Sequence, residues 1–275
     1  MSRTYVITGA GSGIGKTTAE ILRNRGDKVI GVDLKDAEVI ADLSTNSGRL
    51  EAAAEASRLA DGAVDAVIAC AGIAAPVALT SKVNYFGVTE FLEAMIPALE
   101  KSDAPRAAVV SSMASLQPVS AELVDAMLAG DEAQAEKIGQ ALADQGPEVG
   151  YLNYSSSKRA ISRWIRREAP GANWAGKSIP LNAAAPGVVL TPMTEKLLET
   201  EESRAMVDAS TPMPLNYHQG PETIANLLIW LTSVENSHCC GQTIYCDGGT
   251  DTMLRGDDIW SWNDAAMAAK LQGGA

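Results

Sequence analysis

The segment that most constrains the fold lies at the start of the chain, where a short apolar run enters a glycine-rich turn. Residues Thr4 to Thr8 are predicted to form a β-strand, residues 9–15 read GAGSGIG, and a helical pattern follows from Lys16 to Asn24. Strand, glycine-rich turn and helix in this order are the context that a dinucleotide-binding fingerprint requires. Glycines let the backbone approach a pyrophosphate, whose charge then meets the positive end of the helix dipole. The alternative is a turn without a ligand.

A second strand is predicted at Lys28 to Asp33, and its last residue bears on the kind of dinucleotide. The Asp33 carboxylate can accept hydrogen bonds from the adenosine ribose hydroxyls, which is the arrangement for NAD. A 2′-phosphate would meet like charge there, and two unit charges about 4 Å apart repel by about 1 to 4 kcal/mol. This repulsion gives roughly fivefold to several-hundredfold discrimination, which Lys35 could partly offset. The sequence therefore predicts NAD as the cofactor.

Strands and helices alternate along the chain, and this alternation predicts the fold class. Uninterrupted apolar runs, such as Val64 to Ala69, are typical of parallel strands buried on both faces. We predict an α/β fold, a single-domain Rossmann-type doubly wound parallel sheet with helices on both faces. The other strands are predicted at Glu38–Leu43, Ala107–Ser111, Ile179–Ala184 and Thr243–Cys246, and the helices at Ser47–Ala60, Val83–Leu99, Tyr154–Ala169 and Pro221–Leu231.

Two segments lie outside this alternation. Residues 117–150 are polar and acid-rich with a helical apolar spacing, and we predict an inserted helical cap over the ligand cleft. The alternative is a surface helix pair without a function. Residues 256–275 extend beyond a domain of residues 1–255. Because a tryptophan can bury about 150–250 Å², we predict that Trp260 and Trp262 pack over an active-site mouth, the chain's own or a neighbour's, or dock in an unrelated groove.

Composition limits the classes of partner. The chain has 275 residues and a formal charge of −12, which argues against nucleic acid and anionic membranes. No apolar run approaches the ~20 residues that span a bilayer, and no signal-peptide pattern precedes the first strand, so we expect a cytoplasmic protein. The four cysteines lack Cys-x-x-Cys spacing and a histidine cluster, which predicts reduced thiols and no metal site. These cysteines are Cys70, Cys239, Cys240 and Cys246.

The chemistry is predicted to centre on a tyrosine with a lysine four residues later. Tyr154 and Lys158 stand on one face of a helix, so phenol and ammonium can point into one cavity. A phenol has a pKa of about 10, and a positive charge within a few Å lowers that pKa. Such a tyrosine can exchange a proton near neutral pH. Alone the pattern is weak, because a half-buried tyrosine beside a solvated lysine fits any amphipathic helix.

Further motifs place this pair in a wider context. In chain order the motifs are Thr8-Gly9-x-x-x-Gly13-x-Gly15, Asn84 within Val-Asn-Tyr-Phe-Gly, Ser112 after the fifth strand, Tyr154-x-x-x-Lys158, and Pro186-Gly187 followed by Thr191. Together they resemble a classical short-chain dehydrogenase/reductase over nearly the whole chain. Within that family, residues 36–45, residues 84–87 and the long stretch before Tyr154 resemble bacterial 3α-hydroxysteroid dehydrogenase/carbonyl reductases. Cys70 departs from the usual Asn-Ala-Gly motif of the family.

The resemblance implies a role for each matched position. Tyr154 would be the general acid/base, Lys158 would lower its pKa and hold the nicotinamide ribose, and Ser112 would hydrogen-bond the substrate oxygen, with Ser111 as the less favoured alternative. Asn84 would hold a water in a proton relay, whereas the residues alone leave a satisfied core amide equally open. The positions implied for cofactor binding are Gly9, Gly13, Ile14, Gly15, Asp33, Asp42, Leu43, Ala71, Gly72, Tyr154, Lys158, Pro186, Gly187, Val189 and Thr191.

These roles predict an NAD(H)-dependent oxidoreductase that interconverts a secondary alcohol and a ketone by hydride transfer. The expected substrate is a hydroxysteroid or another hydrophobic cyclic or aromatic carbonyl compound, in a pocket from Ser115–Val119, Leu152 and Val188–Met193. One alternative is a small polar amino-alcohol or hydroxy-acid, with Asp251 as the anchor for an amine. A remote alternative is a non-catalytic NAD-binding sensor. Because residues 117–150 would lie where most family members form a tetramer, the resemblance implies a homodimer.

Overall fold

Seven parallel strands form one sheet in the computed structural model, which describes residues 2–265 and 267–268. The strands are β1 (Thr4–Thr8), β2 (Lys28–Asp33), β3 (Val39–Ile40), β4 (Ala66–Ala69), β5 (Arg106–Val110), β6 (Leu181–Pro186) and β7 (Thr243–Cys246). Their order across the sheet is β3-β2-β1-β4-β5-β6-β7. The predicted α/β class with a doubly wound parallel sheet is therefore confirmed.

Helices cover both faces of this sheet. They are α1 (Gly13–Asn24), α2 (Asn46–Leu59), α3 (Leu79–Ser81), α4 (Gly87–Leu99), α5 (Ala121–Leu128), α6 (Glu132–Ala143), α7 (Pro147–Gly150), α8 (Leu152–Glu168), α9 (Glu201–Ser210), α10 (Pro221–Leu231) and α11 (Thr250–Arg255). A π-helical turn at Lys82–Phe86 joins α3 to α4. None of the helices in the described ranges has the length and apolarity that crossing a membrane requires.

The apolar side chains of the strands pack into two separate cores. In β1, Val6 packs into the cluster beneath α2, α4 and α8, whereas Ile7 packs into the cluster beneath α1 and α10. In β4, Val67 packs into the first of these clusters and Ile68 packs into the second. Successive side chains of a strand point to opposite faces, so a strand covered on both faces is apolar at every position.

Several predicted element boundaries differ from the structure, and two of them lie next to predicted site residues. Helix α1 begins at Gly13 rather than Lys16, so the second half of the glycine turn is already helical. Strand β3 is limited to Val39–Ile40 instead of extending from Glu38 to Leu43. The chain leaves the sheet early because Thr45 caps α2, with its hydroxyl accepting a hydrogen bond from the Gly48 amide at 3.1 Å.

The segment of residues 117–150 forms α5, α6 and α7 beside α8. Leu123 and Met127 of α5 are fully buried in the same cluster as Ile161 of α8. None of residues 117–150 is among those that line the cavity described below. The predicted helices are present, and the apolar face of α5 packs against α8. The cap over the ligand cleft stays a prediction.

The C-terminal extension does not bury its tryptophans. Trp260 is 72% exposed and Trp262 is 80% exposed. The prediction that they pack over the chain's own active-site mouth, or in a groove of the same chain, is therefore wrong for the described residues. Packing on a neighbour's mouth stays a prediction. The end of the predicted extension, at positions 266 and 269–275, lies outside the described residues.

Replacing Gly15 with alanine should strain the turn between β1 and α1. A Cβ at this position would lie 2.2 Å from the Gly9 carbonyl oxygen, so the backbone has to shift. We expect Gly15→Ala to lower the free energy of unfolding by about 1–3 kcal/mol in urea denaturation. Gly176→Ala is the control, since its Cβ would meet nothing closer than 3.6 Å. Equal stability of the two variants would contradict the close approach.

Candidate active site

A cavity of about 400 Å³ lies at the carboxyl-terminal edge of the sheet. Its walls come from the segments that follow strands β1 to β6. Strands β1 and β4 are neighbours in the sheet, and the later strands are added outward from them in opposite directions. Open α/β sheets bind ligands beside the point where the strand order reverses in this way. Every residue predicted to be catalytic or to bind the cofactor, except Asn84, lines this cavity: Gly9, Gly13, Ile14, Gly15, Asp33, Asp42, Leu43, Ala71, Gly72, Ser112, Tyr154, Lys158, Pro186, Gly187, Val189 and Thr191.

The glycine turn gives the cavity an exposed helix N-terminus. Gly9 and Gly13 have φ angles of +71° and +51°, in the left-handed region that favours glycine. Gly15 lies against the Gly9 carbonyl, which allows α1 to start directly at the cavity wall. The amides at the start of α1 and the positive end of its dipole suit a phosphate group. The residues present here therefore fit the pyrophosphate of a dinucleotide.

The acid at the end of β2 is fixed beside that turn. One carboxylate oxygen of Asp33 accepts a hydrogen bond from the Gly11 amide at 2.9 Å, and the other accepts one from the Leu34 amide at 2.7 Å. A carboxylate oxygen can accept more than one hydrogen bond, so both retain capacity for a ribose hydroxyl. Asp33 thus presents a fixed negative charge to the cavity.

Helix α8 brings a phenol and an amine to the same wall. Lys158 is 5% exposed, and its Nζ lies 5.8 Å from the Tyr154 ring centroid. The ammonium donates a hydrogen bond to the Val110 carbonyl at 2.9 Å. Because burial disfavours a charge, it lowers the pKa of Lys158 to about 8. The amine can therefore titrate near neutral pH.

The pKa of Tyr154 differs from the expectation. Burial raises this pKa above its ordinary value, and a side-chain hydrogen bond with Ser112 opposes that rise only in part. The predicted fall caused by Lys158 is wrong for this geometry. The physical reason is that the ammonium is directed to the Val110 carbonyl, while the phenol is removed from water.

The two adjacent serines after β5 have different partners. The Ser111 hydroxyl lies 2.8 Å from the Ser162 hydroxyl and donates to the Lys158 carbonyl at 3.2 Å. The Ser112 oxygen accepts from the Ala114 amide at 3.1 Å. Both serines line the cavity, but the bonds of Ser111 tie β5 to α8. Ser112, beside Tyr154, is the better placed of the two to meet a substrate oxygen.

Asn84 is enclosed by protein groups. It lies in the π-helical turn and is 0% exposed. Its Oδ1 accepts from the Ile73 amide at 2.8 Å, and its Nδ2 donates to the Ile73 carbonyl at 2.9 Å and the Ser157 hydroxyl at 3.1 Å. These bonds give the side chain the partners of a satisfied core amide. They join the loop after β4 to α8, and the water relay stays a prediction.

The substrate side of the cavity is only partly as predicted. Val189, Thr191 and Met193 line it, as expected, whereas Ser115–Val119 and Leu152 are not among its lining residues. Sequence reasoning missed residues at or beyond the carboxyl ends of strands β2 to β6 and residues of the helical segment after β4. The rule that ligands bind beyond strand carboxyl ends could have found some of them. The missed residues include Leu34, Ala41, Ser44, Ile73, Leu79, Val83, Val110 and Thr194.

A second tyrosine accompanies Tyr154 on the same helix turn. The rings of Tyr151 and Tyr154 have centroids 5.4 Å apart and are tilted by 44°. Tyr151 is 38% exposed, and burial of its hydroxyl together with the neighbouring Tyr154 raises its pKa. The spacing of three residues on a helix could have revealed this pair.

The structure also shows the surroundings of Asp251 and Cys70, two residues noted in the sequence. The Asp251 carboxylate is paired with the Arg255 guanidinium, through Nη2 at 2.8 Å and also through Nε. Asp251 is not among the residues that line the cavity.

Cys70 lines the cavity, and burial raises the pKa of its thiol to about 12. Within residues 2–265 and 267–268, no group of three or more acidic, histidine or cysteine side chains is placed to hold a metal ion.

Comparison with known proteins gives the family. A family model described as enoyl-(acyl carrier protein) reductase matches residues 9–251. The chain belongs to the short-chain dehydrogenase/reductase family of oxidoreductases. It is 35% identical over 255 residues to the 3-alpha-hydroxysteroid dehydrogenase/carbonyl reductase of Comamonas testosteroni, which covers 91% of this chain and 97% of the relative. The resemblance drawn from the sequence motifs is therefore confirmed.

Two further relatives bear on the site. The crystal structure of the 3-alpha-hydroxysteroid dehydrogenase from Pseudomonas sp. B-0831 complexed with NADH matches with a TM-score of 0.84 at 35% identity, covering 93% of this chain and 100% of that chain. The coniferyl-alcohol dehydrogenase of Pseudomonas sp. strain HR199 is 29% identical over 262 residues, covering 90% of this chain and 96% of the relative. The fold is thus shared with the hydroxysteroid dehydrogenase, and the sequence is similar to that of the coniferyl-alcohol dehydrogenase.

The buried amine of Lys158 should make stability depend on pH. Its pKa is about 8 in the folded chain against an ordinary 10.5, so between these values the unfolded chain binds the extra proton. The contribution of Lys158 to the free energy of unfolding therefore rises as the pH increases from 8 to 10.5. We expect Lys158→Met to be more stable than wild type at pH 7, by at most about 3 kcal/mol, with a difference that shrinks towards pH 10.5.

Urea denaturation at several pH values checks this expectation. Lys16→Met is the control, because the Lys16 side chain is 57% exposed. A pH dependence of Lys158→Met identical to that of wild type would contradict the lowered pKa.

Proposed function

We propose that the protein is an NAD(H)-dependent dehydrogenase that interconverts a secondary alcohol and a ketone. The observation that carries this proposal is the cavity itself, which is lined by Ser112, Tyr154 and Lys158 and also by the Gly9–Gly15 turn and Asp33. The first three are the groups that proton exchange at a carbonyl oxygen needs, and the turn and the acid fit a dinucleotide. The NADH complex of the related hydroxysteroid dehydrogenase supports the cofactor.

The residues of this chain would bind the cofactor along the cavity. The amides at the start of α1 would meet the pyrophosphate, Asp33 would accept hydrogen bonds from the adenosine ribose, and Asp42 and Leu43 would flank the adenine. Val189 and Thr191 also line the cavity and would meet the nicotinamide carboxamide, and Lys158 would hold the nicotinamide ribose. When bound, the nicotinamide supplies the hydride chemistry.

Proton transfer is the part performed by the protein. In the reduction direction, Ser112 donates a hydrogen bond to the ketone oxygen, and Tyr154 gives its phenolic proton to that oxygen as hydride adds to the carbonyl carbon. The Oη–H bond of Tyr154 breaks, a hydroxyl forms on the substrate, and a phenolate remains near the Lys158 ammonium. Because burial raises the Tyr154 pKa, the phenol is protonated at neutral pH, which suits this direction. Oxidation reverses each step.

The lining favours a hydrophobic cyclic or aromatic substrate such as a hydroxysteroid. Ile73, Leu79 and Met193 are apolar, and the half-exposed Tyr151 ring extends the aromatic surface beside Tyr154. Aromatic rings pack well against planar or ring-shaped apolar ligands. The similarity to a hydroxysteroid dehydrogenase and to a coniferyl-alcohol dehydrogenase supports the same class.

The alternatives have less support. An amino-alcohol substrate was predicted to use Asp251 as its anchor, but Arg255 occupies that carboxylate. A non-catalytic sensor would have no use for Ser112 and Tyr154 beside Lys158. The homodimer and the cytoplasmic location stay predictions from the sequence.

Removal of the Tyr154 hydroxyl tests the mechanism. We expect Tyr154→Phe to lower kcat by at least about a hundredfold, because the general acid/base that exchanges the proton of the substrate oxygen is lost, while the Kd for NAD⁺ stays within about twofold. Turnover is followed as NADH absorbance with 3α-hydroxysteroids, aromatic secondary alcohols and amino-alcohols. Tyr151→Phe is the matched control, and it should keep its kcat. Full activity of Tyr154→Phe refutes the mechanism, and tight NAD⁺ binding without any wild-type turnover favours the sensor.

Neutralisation of Asp33 tests the cofactor preference. In Asp33→Asn the repulsion of a 2′-phosphate disappears, so the ratio of kcat/KM for NAD⁺ to that for NADP⁺ should fall by roughly fivefold to several hundredfold. Asp36→Asn is the control, since Asp36 is exposed and its φ of +54° suits asparagine. An unchanged ratio in Asp33→Asn would show that another group selects the cofactor.

A further inference from the structure

A fully buried arginine connects the inserted segment of residues 117–150 to the cavity. Arg49 of α2 is 0% exposed. Its guanidinium forms a bidentate pair with Glu132 of α6, with Nη2–Oε1 and Nη1–Oε2 distances of 2.7 and 2.9 Å. Its Nη1 also donates to Glu90 of α4 at 3.1 Å. Bidentate guanidinium–carboxylate pairs are among the strongest and most directional polar contacts in proteins.

The same guanidinium holds the backbone of the cavity wall. Nε of Arg49 donates to the Leu43 carbonyl at 2.8 Å, and Nη2 donates to the Ser44 carbonyl at 3.0 Å. Both of these residues line the cavity, directly after Asp42. On the other side Gly87 packs so closely that a Cβ there would lie 3.0 Å from the Leu43 oxygen. The wall is therefore fixed between α2 and α4.

Glu132 matters because a buried guanidinium needs its charge balanced. Glu132 supplies two of the acceptor oxygens of Arg49, and it is the contact that comes from the inserted segment. Removal of one partner leaves a buried charge partly uncompensated, which is far more costly than the loss of a surface pair. Arg49 would then reorient towards other acceptors and release the Leu43 and Ser44 carbonyls.

We propose that Arg49 and Glu132 are positioning residues for the adenosine end of the cofactor site, so that the inserted helix α6 sets the affinity for the dinucleotide. The inference rests on the proposed function, in which Asp42 and Leu43 flank the adenine. It gives the inserted segment a role in cofactor binding.

The test separates the two ends of the cofactor. In Glu132→Gln, we expect the Kd for ADP-ribose and the KM for NAD⁺ to rise roughly two- to thirtyfold, with kcat and the Kd for nicotinamide mononucleotide within about twofold of wild type. The control is Glu136→Gln on the same helix, whose pair with Lys82 at 3.1 Å is solvent-exposed. A purely structural role would lower the melting temperature and leave the ADP-ribose Kd unchanged, which would overturn the inference.

A measurement on the wild-type protein keeps the test independent of whether the variant folds. Addition of ADP-ribose should slow amide hydrogen exchange in residues 132–143 of α6, whereas nicotinamide mononucleotide should not. Unchanged exchange in α6 at saturating ADP-ribose would overturn the inference. Failure of the proposed function gives a different result. The wild-type protein would then bind ADP-ribose, and this binding would still slow amide hydrogen exchange in α6, but the protein would show no NAD⁺-dependent turnover.

Discussion

The close backbone contact between Gly9 and Gly15 is the constraint on which the rest of the site depends. A side chain at position 15 would collide with the Gly9 carbonyl, so only glycine lets α1 begin at the carboxyl end of β1. This contact points the first amides of α1 into the cavity. It also places Gly11 within hydrogen-bonding distance of Asp33, which brings the acid of the neighbouring strand to the same ligand. One steric requirement thus aligns a helix dipole and a carboxylate.

Burial governs the chemistry at the opposite wall. Lys158 and Tyr154 are held where water has little access, which lowers the pKa of the amine and raises that of the phenol. Both shifts favour the uncharged form, since each charge is costly outside water. The carbonyl of Val110 fixes the amine, and Ser112 opposes the rise in the pKa of the phenol. The wall therefore holds a protonated phenol beside an amine that can gain or lose a proton near neutral pH.

The inserted segment stabilises the fold from the side. Its helix α5 buries Leu123 and Met127 against α8, and its helix α6 reaches the opposite end of the cavity through Glu132 and Arg49. The insertion thereby contacts the helix that carries Tyr154 and, through Arg49, the loop that carries Leu43. A buried ion pair of this kind fixes geometry more than it adds stability, because its attraction is largely offset by desolvation.

The sequence by itself determined the features that depend on local spacing. The alternation of apolar runs and helical patterns predicted the parallel sheet, and the four-residue interval placed Tyr154 and Lys158 on one helix face. Only tertiary structure decided the length of β3, the enclosure of Asn84, the exposure of Trp260 and the direction of the Tyr154 pKa shift. Each of these depends on which distant groups supply hydrogen bonds or exclude water. No interval along the chain records those groups, so they become known only when the strands and helices are packed together.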